Sequence, residues 1–358
     1  MPIMTALLLL YLSCDSMTFR ANFEEEESAS LYQAENKTEP PTDQDELLIV
    51  NFNIKYGGAR LTFFWECDGG RYNMTETEVT THLDAIAEFI TAVDPDILIL
   101  QEVDRSSLRS VYIDQTQYLL DRTPLNYGAY ASQHKVDFLP TDGMGHVDFG
   151  NAILSKWPIS EATRYDLPLV ESYPAYYQYL YLKRHVLTAK IDLPWNDNFY
   201  AVNTHLEAFS EGNTKLDQIT EFHSILTSLN AQGADWIAAG DLNSLPKGSE
   251  RLADFPDDCP GMFEPDDYSG EEDWLDPLFT DFNSAMSLSD YAENNEAWYS
   301  YTGQPDLGWI RTLDYVFTNG TWANNGDDNL VMQSVEQGGY ETIYLSDHAP
   351  IQAILEVE

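Results

Sequence analysis

Short apolar runs recur along the chain, and most close on a small polar cluster. Leu47 to Asn53, Ile97 to Leu100, Phe149 to Leu154, Val186 to Ile191, Phe199 to Val202, Trp236 to Ala239, Leu313 to Phe317 and Ile351 to Val357 either alternate or run apolar, which predicts strands. Between them lie stretches of helical period. Thr75-Glu76-Thr77-Glu78 has capping-box spacing, and Val79, Leu83, Ile86, Ile90 and Val93 then fall on one face of a helix that Asp94-Pro95 stops. Ser106 to Asp121 is read as a second helix. Lys215 to Asn230 is read as a third, with Leu216, Ile219, Phe222, Leu226 and Leu229 inward. Pro246 to Tyr301, rich in Asp, Pro, Gly and aromatic residues, is expected to be a long irregular excursion. Strands interleaved with helices predict sheets covered by helices.

The first 46 residues break this pattern. Ile3 to Leu12 is apolar but too short to span a bilayer, and it ends in Tyr11-Leu12-Ser13-Cys14. Residues 1–14 are expected to be a signal peptide with a lipobox-like end, Cys14 then carrying a lipid anchor to an outer or cytoplasmic membrane. No Lys or Arg precedes the apolar run and Tyr11 replaces the preferred Leu, so an ordinary signal peptide and a secreted product is the alternative. Residues 15–46 hold Glu24-Glu25-Glu26-Glu27 and Pro40-Pro41 without apolar period and are read as an acidic disordered tether. Residues 47–358 form the catalytic domain on this reading. If Cys14 is lipidated, Cys67 and Cys259 are either one disulfide or two unrelated thiols.

Composition changes the choice of substrate. The 358 residues, 43% of them hydrophobic, are enough for one large domain, expected to be monomeric, and the net charge is −42 from 60 acidic and 18 basic residues. Removing the tether leaves about −34 on the rest. Non-specific affinity for nucleic acid comes from Lys and Arg neutralising phosphates, so this charge disfavours nucleic acid as a partner without excluding it. No phosphate-cradling Gly-x-x-x-x-Gly-Lys loop and no Cys/His zinc spacing is present.

The polar clusters that end the apolar runs are, in order, Asn51-Phe52-Asn53, Gln101-Glu102-Val103-Asp104, Asn203-Thr204-His205, Gly240-Asp241-Leu242-Asn243 and Ser346-Asp347-His348. They offer carboxylates, amides and two histidines, a mixture suited to a hard divalent cation with general acid–base groups. Five blocks in this order resemble the endonuclease/exonuclease/phosphatase superfamily over roughly Leu47 to Val357. The resemblance implies an α+β fold, a four-layer sandwich of two packed, mostly antiparallel sheets flanked by helices.

It also implies a metal-dependent phosphoric ester hydrolase that cleaves a phosphodiester, in a phospholipid headgroup or a small phosphate ester, by in-line attack of water. Glu102 would bind Mg²⁺, with Mn²⁺ possible, and Asn53 would ligate or position it. Asp347 would complete the metal or water network. Asp241 and Asn243, whose i, i+2 spacing in an extended segment would point both side chains one way, would orient or deprotonate water and hold phosphate oxygens. His348, oriented by Asp314, would take the proton, so Asp241 and His348 both stand as candidate bases. His205 would protonate the leaving oxygen or bind phosphate. Asn151 is expected near the phosphate, and Arg184 would offer it a guanidinium fork. An extracellular nuclease is the alternative activity, and a non-catalytic surface lipoprotein the alternative of another class. His82, His134, His146, His185 and His223 have no motif around them and are read as structural.

Overall fold

The computed structural model describes residues 23–139, 145–208, 212–334 and 341–357, and the fold is stated for these. In chain order the strands are β1 (Glu26–Ser28), β2 (Ser30–Gln33), β3 (Glu46–Asn53), β4 (Ile97–Asp104), β5 (Tyr127–Leu139), β6 (Gly145–Ser155), β7 (Ile159–Asp166), β8 (His185–Leu193), β9 (Asn196–His205), β10 (Asp235–Asp241), β11 (Asn283–Ser284), β12 (Asp314–Thr318), β13 (Leu330–Val331) and β14 (Ile351–Glu356). The helices are α1 (Glu76–Val93), α2 (Gln115–Leu120), α3 (Ala175–Leu180), α4 (Thr214–Ala231), α5 (Asp276–Asp281) and α6 (Leu288–Glu293). None is long and apolar enough to cross a membrane.

Two sheets of seven strands result, ordered β1-β7-β8-β9-β10-β12-β11 and β13-β14-β3-β4-β6-β5-β2. Only β3–β4 and β9–β10 pair in parallel; all other neighbours are antiparallel. Apolar side chains of both sheets, among them Ile49, Ile99, Ile153, Leu187, Ala201, Ile237 and Ile351, meet in one central core. The outer faces are covered separately: Ile86, Phe89 and Ile90 of α1 pack on one sheet, and Ile219, Phe222 and Leu226 of α4 on the other. Full burial of each such side chain is worth about 1.5–3 kcal/mol, which is why the sheets' continuous apolar runs need a layer on each side. The expected four-layer sandwich is the observed fold.

The capping box forms as the sequence predicts: Thr75 N donates to Glu78 Oε2 at 2.8 Å, and Glu78 N to Thr75 Oγ1 at 3.3 Å. Ser106 to Asp121 differs from the expected helix. It holds a 3₁₀ turn at Leu108–Ser110 and then the short α2, because Val111 and Tyr112 take left-handed backbone (φ 56° and 61°) between them. Pro246 to Tyr301 is largely irregular but contains α5, β11 and α6.

The disordered-tether reading of 15–46 is corrected over its described residues. β1 pairs with β7 at the edge of one sheet and β2 with β5 at the edge of the other, so one segment seals both. Backbone ladders hold it, helped by a few apolar contacts of Ala29, Tyr32 and Ala34, too few to make a hydrophobic period. Residues 1–22, and with them the expected signal peptide and Cys14, lie outside the described residues. Cys67 and Cys259 are joined by a disulfide, with Cα atoms 5.8 Å apart, which ties the β3–α1 connection to the long excursion.

Candidate active site

Strand direction brings the motifs together. β3 and β4 run parallel and end at Asn53 and Asp104; β9 and β10 run parallel and end at His205 and Asp241. β12 is antiparallel to β10 with Asp314 opposite Asp241, and β14 is antiparallel to β3 with Ile351 opposite Asn51. All five blocks therefore open on one edge of the sandwich. Within that edge His205, Asp241 and Asp314 occupy one row across three neighbouring strands. Gly240 has a local reason: a Cβ there would collide with the Thr204 carbonyl, so only glycine lets β10 lie against β9 beside the site.

Asp241 is the hub. Asn53 Nδ2 donates to its Oδ2 at 3.1 Å, and the Nε2 atoms of His205 and His348 each lie 3.5 Å from the same oxygen. Behind His348, Asp314 Oδ2 meets Nδ1 at 2.7 Å and also accepts the Ser300 hydroxyl at 2.7 Å. The Tyr301 ring packs edge-on against the imidazole at 4.8 Å. Asp241, Asp314 and His348 are all buried.

Burial raises the charges' stakes. Burial and then the Asp314 charge push Asp241 up to about 7, with His348 opposing. Burial works against charging His348, yet Asp314 and Asp241 override it and push the ring up to about 10. In this tightly coupled set the proton resides on His348, as an imidazolium between two carboxylates. His205 is the reverse: burial, then Arg184 and His348, hold it neutral, well below the usual histidine range, and its Nδ1 has no hydrogen-bond partner.

Glu102 sits on a β-bulge. The β4–β6 register shifts between Leu100 and Val103, and Glu102 takes φ 56°, a conformation unusual for a non-glycine residue that turns its side chain out of the ladder. Burial and then Asp347 raise its pKa. Asp347 goes the other way: burial would raise it, but Lys55, His348 and Arg60 together lower it. Its Oδ2 is 3.5 Å from Lys55 Nζ, and its Oδ1 accepts the Ser346 hydroxyl at 3.1 Å.

Two groups could hold a metal. The ligand atoms of Asp241, Asp314 and His348 all lie within 4.8 Å of one another. One Asp314 oxygen there is already shared by His348 and Ser300, and the imidazolium offsets one of the two carboxylate charges. Glu102, raised first by burial and then by Asp347, forms with Asp347 a second acidic pair, with Asn53 beside them on β3. An all-oxygen set fits a hard divalent cation better than an ion-paired histidine does.

Asn151 is fully buried on β6, and neither end of its amide has a partner. Arg184 is buried just before β8, with Nε 3.8 Å from Glu207 Oε2 and neither Nε nor Nη1 hydrogen-bonded. The expected extended geometry of Asp241 and Asn243 does not form. Asn243 is left-handed (φ 47°), its N–H donates to Asp241 Oδ1 at 3.0 Å, and its Nδ2 to Leu206 O at 3.0 Å, an Asx-type turn that holds Asp241 in place.

Several neighbours were not read from the sequence. Asn203 bolts the sheets together: its Nδ2 donates to Leu100 O and Ala152 O, and its Oδ1 accepts from Gln101 Nε2, which also reaches Asn51 Oδ1. A signal existed, since all three amides sit in the motif blocks inside apolar runs. Lys215 was placed at a helix start but is buried, donating to Asn243 O at 2.6 Å and Glu271 at 2.8 Å. Ser300, in the irregular excursion, carried no signal. Of the other histidines, His134 is half-buried and His185 buried, both held neutral, and His82, His146 and His223 meet Gly57 O, Asp137 and Asp281.

The sequence model of the endonuclease/exonuclease/phosphatase family matches residues 50–348. No curated protein sequence is significantly similar. Solved structures share the fold. An endonuclease/exonuclease/phosphatase from Beutenbergia cavernae DSM 12333 is 19% identical, with 88% of this chain and 72% of that chain covered and a TM-score of 0.52. A functionally unknown conserved protein from Enterococcus faecalis V583 is 15% identical over 87% of this chain and 100% of that one, TM-score 0.52. An endonuclease/exonuclease/phosphatase family protein from Bacteroides thetaiotaomicron is 13% identical over 87% and 95%, TM-score 0.52. With the motif blocks gathered on one edge and the family's sequence pattern spanning them, the chain belongs to the endonuclease/exonuclease/phosphatase family, whose members are generally hydrolases of phosphate esters.

Proposed function

We propose that this protein hydrolyses a phosphodiester with a bound divalent cation, Mg²⁺ or Mn²⁺, held by Glu102 and Asp347 with Asn53 beside them. The observation that carries the reading is the Asp241 carboxylate set between two imidazoles of opposite protonation, neutral His205 and charged His348. Such a cation supplies Lewis-acid polarisation of the phosphoryl oxygens and of the leaving oxygen. Asp241, raised toward neutrality and fixed by the Asn53 amide and the Asn243 N–H, orients the attacking water and accepts its proton. His348, locked by Asp314, places a positive N–H where charge grows on the phosphoryl oxygens. Arg184 and Asn151, buried with unused donors, supply further hydrogen bonds to the phosphate.

A lipid headgroup or a small ester suits this chain better than nucleic acid. Of only 18 basic residues, Lys55, Arg109, Arg164, Lys183, Arg184, Lys215 and Arg311 are buried, which leaves few for a phosphate-tracking groove. An exported, lipid-anchored setting remains part of the proposal; the Cys67–Cys259 disulfide supports an oxidising compartment, and the mass of the mature N-terminus tests the anchor at Cys14.

The test is Mg²⁺-dependent release of p-nitrophenol from bis(p-nitrophenyl) phosphate by the parent, Asp241→Ala and His348→Ala. Turnover that EDTA and both substitutions abolish supports the reading. Turnover that survives both substitutions would remove it.

A further inference from the structure

Nine of the ten large apolar side chains that are exposed among the described residues sit on connections at the catalytic edge. The tenth, Leu31, lies on the edge strand β2. The nine come from six separate connections. Tyr112 follows β4, Phe138 is the penultimate residue of β5, and Tyr176 lies between β7 and β8. Phe263 belongs to the excursion after β10, Leu307 precedes β12 and Tyr344 precedes β14. Strand directions put the β5–β6, β7–β8 and β13–β14 connections at the end where Asn53, His205 and Asp241 emerge. The other three link that end to the far one, and the Tyr112–His146 contact, the Cys67–Cys259 disulfide and the bridges of Tyr301 to Arg311 and His348 tie their exposed parts to it. Cross-contacts agree: Tyr112 meets His146 of the β5–β6 hairpin at 6.2 Å, and Arg60, from the β3–α1 connection, bonds Ile343 O and stacks on Trp309.

From this placement we infer that the catalytic edge docks onto a zwitterionic phospholipid surface, with these side chains entering its headgroup layer while the site takes a phosphodiester from it. The inference rests on the phosphodiesterase reading and names the physical form of its substrate. These side chains share one end of the sandwich with the site, so a surface that covers them also faces the site and can itself carry the substrate. Four of the nine are tyrosines, Tyr112, Tyr176, Tyr177 and Tyr344, whose amphipathic rings settle at the headgroup level. Tyr176 is 72% exposed and Tyr344 63%, so both rings are free to enter such a layer. Six scattered tips suit a broad surface rather than a groove for one peptide. The charge of −42 selects a surface without net negative charge.

The test uses the full chain in EDTA, so that no turnover occurs, with hydrogen exchange measured with and without phosphatidylcholine vesicles. Amides of 107–113, 174–180, 260–264, 305–308 and 342–345 are expected to gain protection. Tyr112→Ser/Tyr176→Ser should weaken that protection at least about tenfold in apparent affinity, while Leu31→Ser leaves it unchanged. Hydrolysis of soluble bis(p-nitrophenyl) phosphate by Tyr112→Ser/Tyr176→Ser should match the parent, which also certifies its fold. Protection confined to other segments, or seen only with phosphatidylglycerol vesicles, overturns the inference even if the soluble diester is cleaved. Rim protection by phosphatidylcholine without any diester hydrolysis keeps the docking surface and removes the catalytic reading.

Discussion

The Asp314 carboxylate meets His348 Nδ1 at 2.7 Å, and the far nitrogen of the same ring lies 3.5 Å from Asp241, so one imidazole is clamped between two buried acids. Asp314 fixes which nitrogen faces the reacting centre and keeps the ring charged. Asp314→Asn keeps the shape and removes that charge. A buried Asp holds the histidine of a serine-protease triad in the same way, and on that analogy kcat should fall on the order of 10³–10⁴-fold. Steady-state kinetics with unchanged Tm would show it; a loss under tenfold would contradict the role.

Glu102, raised by its own burial and by Asp347, should be relieved of that repulsion on binding a divalent cation. Mg²⁺ at about 100 times its Kd should stabilise the fold by about 2.7 kcal/mol, a rise of several degrees in Tm. Glu102→Gln should abolish most of that rise in calorimetry. An equal rise in the variant would place the cation elsewhere, with the Asp241–Asp314–His348 group next in line.

Acid should destabilise the protein through the histidines it holds neutral. Burial lowers His134 to about 4 and puts His185 and His205 well below the usual range. The unfolded chain, with histidine near 6.5, therefore binds protons that the native chain refuses. Their contribution is complete above about pH 6.5 and is lost as pH falls toward about 4, at up to about 1.4 kcal/mol per pH unit for each ring. Asp241 and Glu102 shift upward and offset part of this. Urea titrations in EDTA at stepped pH should show the fall, and His134→Gln should flatten it by about one proton; an unchanged slope in the variant would refute the assignment.

Arg109 donates to both oxygens of Asp104 at 2.9 Å and lies 3.6 Å over the Tyr56 ring, all three buried. Arg109→Ala strands the Asp104 carboxylate and should cost about 3–5 kcal/mol. Arg109→Ala with Asp104→Asn should recover part of it. Denaturant midpoints decide the matter, and a single-variant loss below about 1 kcal/mol would mean that solvent reaches the pair.

Cys67 and Cys259 lie 192 positions apart in the sequence. Thiol alkylation under denaturing, non-reducing conditions should leave both unlabelled. Cys67→Ser/Cys259→Ser should lower stability by about 2–5 kcal/mol; full labelling of the native protein would show two free thiols instead.

Much of the scaffold was legible because periodicity survives without tertiary contacts. The helix after Thr75 carries its cap and apolar face in five positions, and the motif strands carry theirs in continuous runs. Strands β5 and β7 were not read, since their side chains mix polar and apolar residues that only their neighbours sort. β1 and β2 were hidden for the related reason that a backbone ladder leaves no compositional trace.

The order of the five polar blocks, and the strand that ends at four of them, were written in the sequence alone, because a buried strand must be apolar and its exit need not be; Ser346-Asp347-His348 instead leads into β14. What the tertiary structure alone decided is which charges face one another. Lys55 and Lys215 look like surface cations in the sequence, yet each is buried against a carboxylate brought from elsewhere, Asp347 and Glu271. Ser300 reaches Asp314 only because the long excursion folds back under the site. Coulomb energies depend on distance and burial, and neither exists until the sheets have closed.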